Sequence, residues 1–354
     1  MRENILQANS AVRQTVLVVV FLAALAGAAW WLYNHPPSFD WALFGRMVAS
    51  LDWGWVALSA ALCLLTYVGR ALRWAVLMRP VKPNPSLWNL FKATAIGFTA
   101  LVLLGRAGEF VRPVLIAAKE GVTVSSQLAA WILERVYDLL IALVFFGFAL
   151  SQVKRSDAKL GEGLAWALET GGTVAWIASM ACLGVLVAFR NIGDKFRKRI
   201  LEALAFLPPG YLRRVETTLD AFVEGAASTR SLRAVLEVIS YTVLEWVLIA
   251  GCYICLMRAF PDLHHFSILD ILMVMGFIAF GSVVQLPGIG GGVQVVSAVV
   301  LREIFGLGWE SASGVAMAIW FITFVVVVPI GLPLALQEGL RWSQLRSMGQ
   351  QVKL

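Results

Sequence analysis

The sequence predicts an all-α, polytopic helical membrane protein of about six full spans plus two re-entrant broken-helix hairpins. Three observations lead there. Of 354 residues, 59% are hydrophobic and 14% are charged, against about 45–50% and about 25% in soluble domains. The apolar residues fall in blocks at 15–33, 55–77, 128–150, 173–189, 235–257, 268–286 and 312–336, most of them near the roughly 20 helical residues that cross a bilayer core. The charge between the blocks is uneven, within a net +7. Strands are excluded, because the blocks are long and do not alternate. In lipid, only helices and closed barrels satisfy the backbone.

The first block follows Arg2 and Arg13, and Ala26 and Ala28 make a site resembling a signal-peptide cleavage point. It runs on through Trp30, Trp31 and Tyr33, aromatic residues suited to a membrane interface, which favours an uncleaved first span. Arg70, Arg73, Arg79, Lys82 and Lys92 make a basic stretch taken to follow the second span. Residues 190–233 hold nine Lys or Arg against five acids, and Arg341, Arg346 and Lys353 make the tail basic. Segments 36–52 and 261–270 are slightly acidic. The positive-inside rule then places the basic segments and both termini in the cytoplasm.

A full crossing by 87–104 would put the basic connection outside. A re-entrant hairpin over 86–118, turning near Gly105, removes that conflict, and a second over 268–306 turns at Pro287-Gly288-Ile289-Gly290-Gly291-Gly292. Hairpins entering from opposite faces suggest an inverted repeat, an arrangement that builds a midplane site from broken helices. A plain bundle of eight or nine spans is the alternative. The whole of 1–354 reads as one transmembrane domain. Its first half is 1–190, its cytoplasmic amphipathic connection 191–234 and its second half 235–354. In the connection Leu212, Val215, Leu219, Phe222 and Val223 share a helical face, fitting either a helix on the membrane surface or a solvated linker.

Ionisable residues inside apolar blocks are costly, so they face a partner or a cavity. Glu134, Arg135 and Asp138 qualify, since without them 139–150 spans only about 18 Å. Glu134 and Asp138, four apart, share a helix face, and Glu245 poses the same case in its own block. Arg106, Glu109 and Arg112 recur at spacing three among glycines. They read either as a phosphate-binding face or as a helix end with snorkelling charges. The glycines Gly288, Gly290 and Gly291 either offer backbone N–H groups to an anion or simply break a helix. Cys63, Cys182, Cys252 and Cys255 read as packing residues. His264 and His265 are weak metal ligands, and no metal is expected.

Four segments carry a family resemblance. Tyr67-Val68-Gly69-Arg70-Ala71-Leu72-Arg73-Trp74, Leu104-Gly105-Arg106-Ala107-Gly108-Glu109, Glu134-Arg135-Val136-Tyr137-Asp138 and Leu286-Pro287-Gly288-Ile289-Gly290-Gly291-Gly292 resemble the lysylphosphatidylglycerol synthase transmembrane region family of flippase-like membrane proteins. The order is right and almost the whole chain is covered. Two departures from the family pattern are expected to matter: no soluble aminoacyltransferase domain is read in these 354 residues, and the first glycine motif reads Leu-Gly-Arg where many relatives carry Pro-Gly-Arg. The resemblance implies a lipid-handling domain of the kind that moves aminoacylated phosphatidylglycerol between leaflets.

The combined expectation is a transporter rather than an enzyme, a lipid flippase or scramblase in a bacterial-type cytoplasmic (inner) membrane. A phospholipid or lipid-linked phosphate would be its partner, without nucleic acid or cofactor, and homo-oligomerisation is left open. Arg106, Arg112 and Arg135 would contact phosphate between the hairpins. Glu109, Glu134, Asp138 and Glu245 would balance charge, bind an amine or carry protons. The alternative is a membrane-embedded enzyme or an accessory subunit of lipid or lipid-linked glycan synthesis.

Overall fold

The computed structural model describes residues 40–152, 162–188, 231–282 and 290–339, together with 202, 285, 286 and 288. The expected span at 15–33 and all but the last few residues of the connection at 191–234 lie outside the described residues, apart from Glu202. The chain divides into two units, Met1–Gly45 and Arg46–Leu354. In the first, Asp40 accepts the Leu43 N–H at 2.8 Å as helix α1 (Trp41–Ala49) begins, and Trp41 meets Phe44 edge-on.

In the second unit the helices start where short polar side chains can take the first free N–H groups. Asp52 caps α2 (Trp53–Met78), accepting from Gly54 at 2.9 Å. Ser86, Thr123 and Ser231 do the same for α3 (Leu87–Leu104), α5 (Val124–Ser151) and α7 (Leu232–Ala259). Between α3 and α5 lie a 3-10 turn, Gly105–Phe110, and α4 (Val111–Glu120). Helix α6 (Glu162–Ala188) packs along α5. After α7 come α8 (Ile268–Gly281), β1 (Gln285–Leu286), β2 (Gly290–Gly291) and α9 (Gly292–Glu303). Helices α10 (Trp309–Phe324) and α11 (Val328–Gln337) are joined by a 3-10 turn at Val325–Val327. Pro329 has no N–H to return to Val325, which accounts for that tightening.

The protein is an all-α polytopic membrane protein. Among the described residues four helical runs are long and apolar enough to cross a membrane, Trp53–Met78, Leu87–Glu120, Leu232–Ala259 and Trp309–Gln337. The second of these is not straight. Gly105 (φ 65°) reverses the chain, and α4 returns along α3 so closely that a Cβ at Gly97 would lie 2.6 Å from Cβ of Arg112. A second hairpin is built alike. Helices α8 and α9 run antiparallel with Gly281 against Val296, and a two-residue ladder pairs Gln285 with Gly291 and Leu286 with Gly290. The tips of the hairpins meet, the Gly288 N–H donating to the Val102 carbonyl at 2.9 Å.

The order helix, hairpin, helix therefore occurs twice, as α2, α3/α4, α5 and as α7, α8/α9, α10. The leading helices of the two series pack antiparallel along their length. Asp52 N–H donates to Ala259 carbonyl at one end, Ser59 Oγ to Cys252 carbonyl at 2.8 Å further along, and Arg79 pairs with Glu237 at the other end. Two apolar clusters fill the interior. One includes Tyr67, Phe146, Tyr253 and Met273, the other Trp74, Leu77, Ile116 and Tyr137. Outward faces keep large apolar side chains at helical spacing, such as Ile132 and Val136 on α5 and Leu244 and Val247 on α7. In a membrane protein these stripes face acyl chains rather than water.

At the base of the first hairpin, Glu338 just beyond α11 bridges Lys92 of α3 and Lys119 of α4. Hydrogen bonds from Lys119 and Lys92 hold its carboxyl below the ordinary glutamate range. A depressed carboxylate contributes stability that is present above the unfolded value of about 4.3 and lost as pH falls through the folded one. Melting temperature in detergent is therefore expected to fall more steeply between about pH 5 and about pH 3 for the native chain than for Glu338→Gln. Parallel curves would show that the clasp is not formed.

Candidate functional site

Along α2 the two apolar clusters meet between Tyr67 and Trp74, and Arg70 and Arg73 occupy that boundary. Arg73 is fully buried and is the hub of an ion network. Its Nη1 donates to Asp138 at 2.5 Å and to Thr242 Oγ1 at 3.1 Å. Its Nη2 donates to Glu134 and lies 3.2 Å from Glu245. Glu134 and Asp138 reach the same guanidinium because they are one helical turn apart on α5.

Arg112, 3% exposed at the start of α4, donates to both oxygens of Glu134 at 2.9 and 3.1 Å. Its guanidinium stacks 4.1 Å from the Trp74 ring centroid, a contact that partly offsets the cost of taking the charge out of water. Arg70 pairs with Glu245 at 2.5 Å and lies over the Phe98 ring at 4.6 Å. Arg135 approaches Asp138 at 3.5 Å and Glu134 at 4.0 Å.

The network forms one wall of a cavity of about 390 Å³ bounded by α2, the first hairpin, α5, α7, α8 and the end of α10. Arg70, Arg135, Asp138 and Glu245 line its polar end. Leu139, Leu143, Phe146, Ile249, Met275 and Phe324 line its apolar remainder. At the hairpin tips Arg106 pairs with Glu109 and donates to the Ser282 carbonyl at 2.7 Å, so this pair also borders the chamber.

The structure thus brings together Glu134, Arg135, Asp138, Arg112 and Glu245, and sets Arg106 and Glu109 at the rim. It does not stack Arg106, Glu109 and Arg112 on one face. The segment is 3-10 through Phe110 and α from Val111, so the spacing changes register and Arg112 turns to Glu134. Gly288, Gly290 and Gly291 lie at the second tip rather than among the cavity's lining residues. The Gly288 N–H is given to Val102 and the Gly291 N–H to Gln294 Oε1 at 2.7 Å.

Arg70 and Arg73 correct the sequence reading. They lie inside α2 and are ion-paired, Arg73 fully buried and Arg70 partly so, and they are not part of a loop. Their spacing of three, within a block otherwise apolar from residue 55 to 77, was the signal that could have found them. Buried free cysteines Cys63, Cys252 and Cys255 pack as expected, Cys252 Sγ lying 3.2 Å from Ser59 Oγ.

These features define a polytopic helical membrane protein with an ion-lined internal chamber. The chain matches the family described as Lysylphosphatidylglycerol synthase TM region over residues 15–331, and it belongs to that family. No curated protein and no solved structure matches it.

Proposed function

We propose that this chain is a lipid translocase, flippase-like or scramblase-like, that passes the phosphate-bearing headgroup of a membrane lipid through the internal chamber while the acyl chains stay in the bilayer. Membership of a family with a lipid-related role supports the reading. The observation that carries it is the two-ended character of the cavity, with arginines and carboxylates at one end and aliphatic and aromatic side chains at the other. Desolvating each of these ions costs several kcal/mol, and apolar packing would stabilise the bundle equally well. The network is therefore better explained by something polar that must be received there.

In this reading the hairpins re-enter the membrane from opposite faces and bring their tips to the chamber, in a bacterial-type inner membrane with both termini cytoplasmic. Arg70 and Arg135, at the chamber wall, offer guanidinium N–H groups that match phosphate oxygens, and Arg112 adds positive charge behind them. Glu134, Asp138 and Glu245 hold those guanidiniums in place.

The test is reconstitution in vesicles carrying acyl-labelled phospholipids, with leaflet exchange followed by quenching of the outer leaflet. Native protein is expected to speed exchange over empty vesicles. Ala142→Trp, which fills the chamber from α5, is expected to reduce the added rate by about tenfold or more while the protein stays monodisperse; one order of magnitude corresponds to about 1.4 kcal/mol on the barrier. Exchange no faster than in empty vesicles, with and without a proton gradient, would remove the translocase reading.

A further inference from the structure

The charge inventory of the chamber bears on which headgroup it receives, an inference that rests on the translocase reading. Five guanidiniums, Arg70, Arg73, Arg106, Arg112 and Arg135, stand against four carboxylates, Glu109, Glu134, Asp138 and Glu245. Among the described residues one positive charge is left over beside a largely apolar cavity. Every one of those carboxylates is already engaged. Glu134 faces Arg73 and Arg112, Asp138 faces Arg73 and Arg135, Glu245 faces Arg70 and Arg73, and Glu109 faces Arg106.

The spare capacity lies with the donors. Arg70 and Arg135 line the chamber, and the Nε of each is buried without a hydrogen-bond partner. The side chain of Arg135 is 41% exposed, and its approaches to Asp138 and Glu134, 3.5 and 4.0 Å, are longer than hydrogen bonds. Glu245 Oε2 also lacks a hydrogen bond, but it sits 3.2 Å from Arg73 and faces a cation already.

We propose that the chamber selects a lipid phosphodiester that bears net negative charge and no free amine, and that it discriminates against aminoacylated, net-cationic lipids. A singly anionic phosphodiester would neutralise the excess charge and accept from Arg135 and Arg70. An ammonium would find each carboxylate held by an arginine and would add a second uncompensated positive charge where screening is weak.

The experiment measures binding to the purified full-length chain in detergent by intrinsic tryptophan fluorescence, to which Trp246 in the chamber wall contributes. The probes are phosphatidylglycerol, singly anionic; phosphatidylcholine, neutral overall; lysylphosphatidylglycerol, singly cationic; and soluble glycerol phosphate. Phosphatidylglycerol is expected to bind roughly tenfold tighter than its lysyl ester, with phosphatidylcholine between them. Arg135→Gln is expected to shrink that ratio by about threefold, as one of the unspent donors is removed.

Equal or tighter binding of the lysyl ester by the native chain would overturn the proposal whether or not the variant folds. Glycerol phosphate binding as tightly as phosphatidylglycerol would overturn its lipid part and leave a free phosphate ester as the ligand. Leaflet exchange of the same lipids separates the two readings. Exchange favouring the cationic lipid defeats the charge selection alone, whereas no exchange of any lipid, with the binding order intact, defeats the translocase reading alone.

Discussion

Arg73→Met is expected to destabilise the protein by about 3–5 kcal/mol, the range for breaking a buried ion pair by removing one partner. Methionine fills much of the same volume, so little of the loss comes from a cavity. It comes from Glu134, Asp138 and Glu245, which all face Arg73 and would be left buried with less compensation. Thermal unfolding in detergent reads the effect directly. Arg73→Met combined with Glu134→Gln should recover part of it, because one of the stranded charges is gone, and the double-mutant cycle should give a coupling of about 0.5–3 kcal/mol. If Arg73→Met melts like the native chain, the hub described for the ion network does not exist.

The second large effect is expected from Gly108→Ala. A Cβ there would lie 2.3 Å from the carbonyl carbon and oxygen of Ala100 and 2.4 Å from the Leu101 nitrogen. These are backbone atoms of α3 and cannot swing aside, so the cost should exceed the about 1–3 kcal/mol usual for overpacking. Splaying the hairpin would also draw Val102 away from Gly288, so leaflet exchange should fall together with melting temperature. Gly69→Ala supplies the contrast. Nothing lies within 4 Å of a Cβ at Gly69, and alanine favours a helix interior over glycine by roughly 0.5–1 kcal/mol, so that variant should melt no lower than the native chain. Equal behaviour of the two would contradict the close return of the chain at Gly108.

The helical class was legible because block length and composition decide it. The reversal near Gly105 was legible because the charge of the connection at 190–233 conflicts with a full crossing at 87–104. Glu134, Asp138 and Glu245 could be picked out as isolated charges in apolar runs. Arg70 and Arg73 were hidden by their neighbours, because Arg79 and Lys82 follow within two turns of the block's end, Lys92 comes ten residues later, and the five read as one basic patch. What separates them is three-dimensional, since carboxylates distant in sequence on α5 and α7 pull only the first two inside. The bonding of the glycine run was equally illegible. Whether its N–H groups face a ligand or a neighbour depends on Val102 and Gln294, and no local pattern encodes those contacts.

The junction of the hairpin tips has a mechanical meaning. Among the described residues its polar contacts include the Gly288 to Val102 hydrogen bond and the reach of Arg106 to the Ser282 carbonyl. Hydrogen bonds of this kind contribute about 0.5–1.5 kcal/mol net when neutral and about 1.5–3 kcal/mol when charged. Bonds of this size break and re-form by thermal agitation, so in a lipid translocase these two contacts would yield without either half of the bundle coming apart.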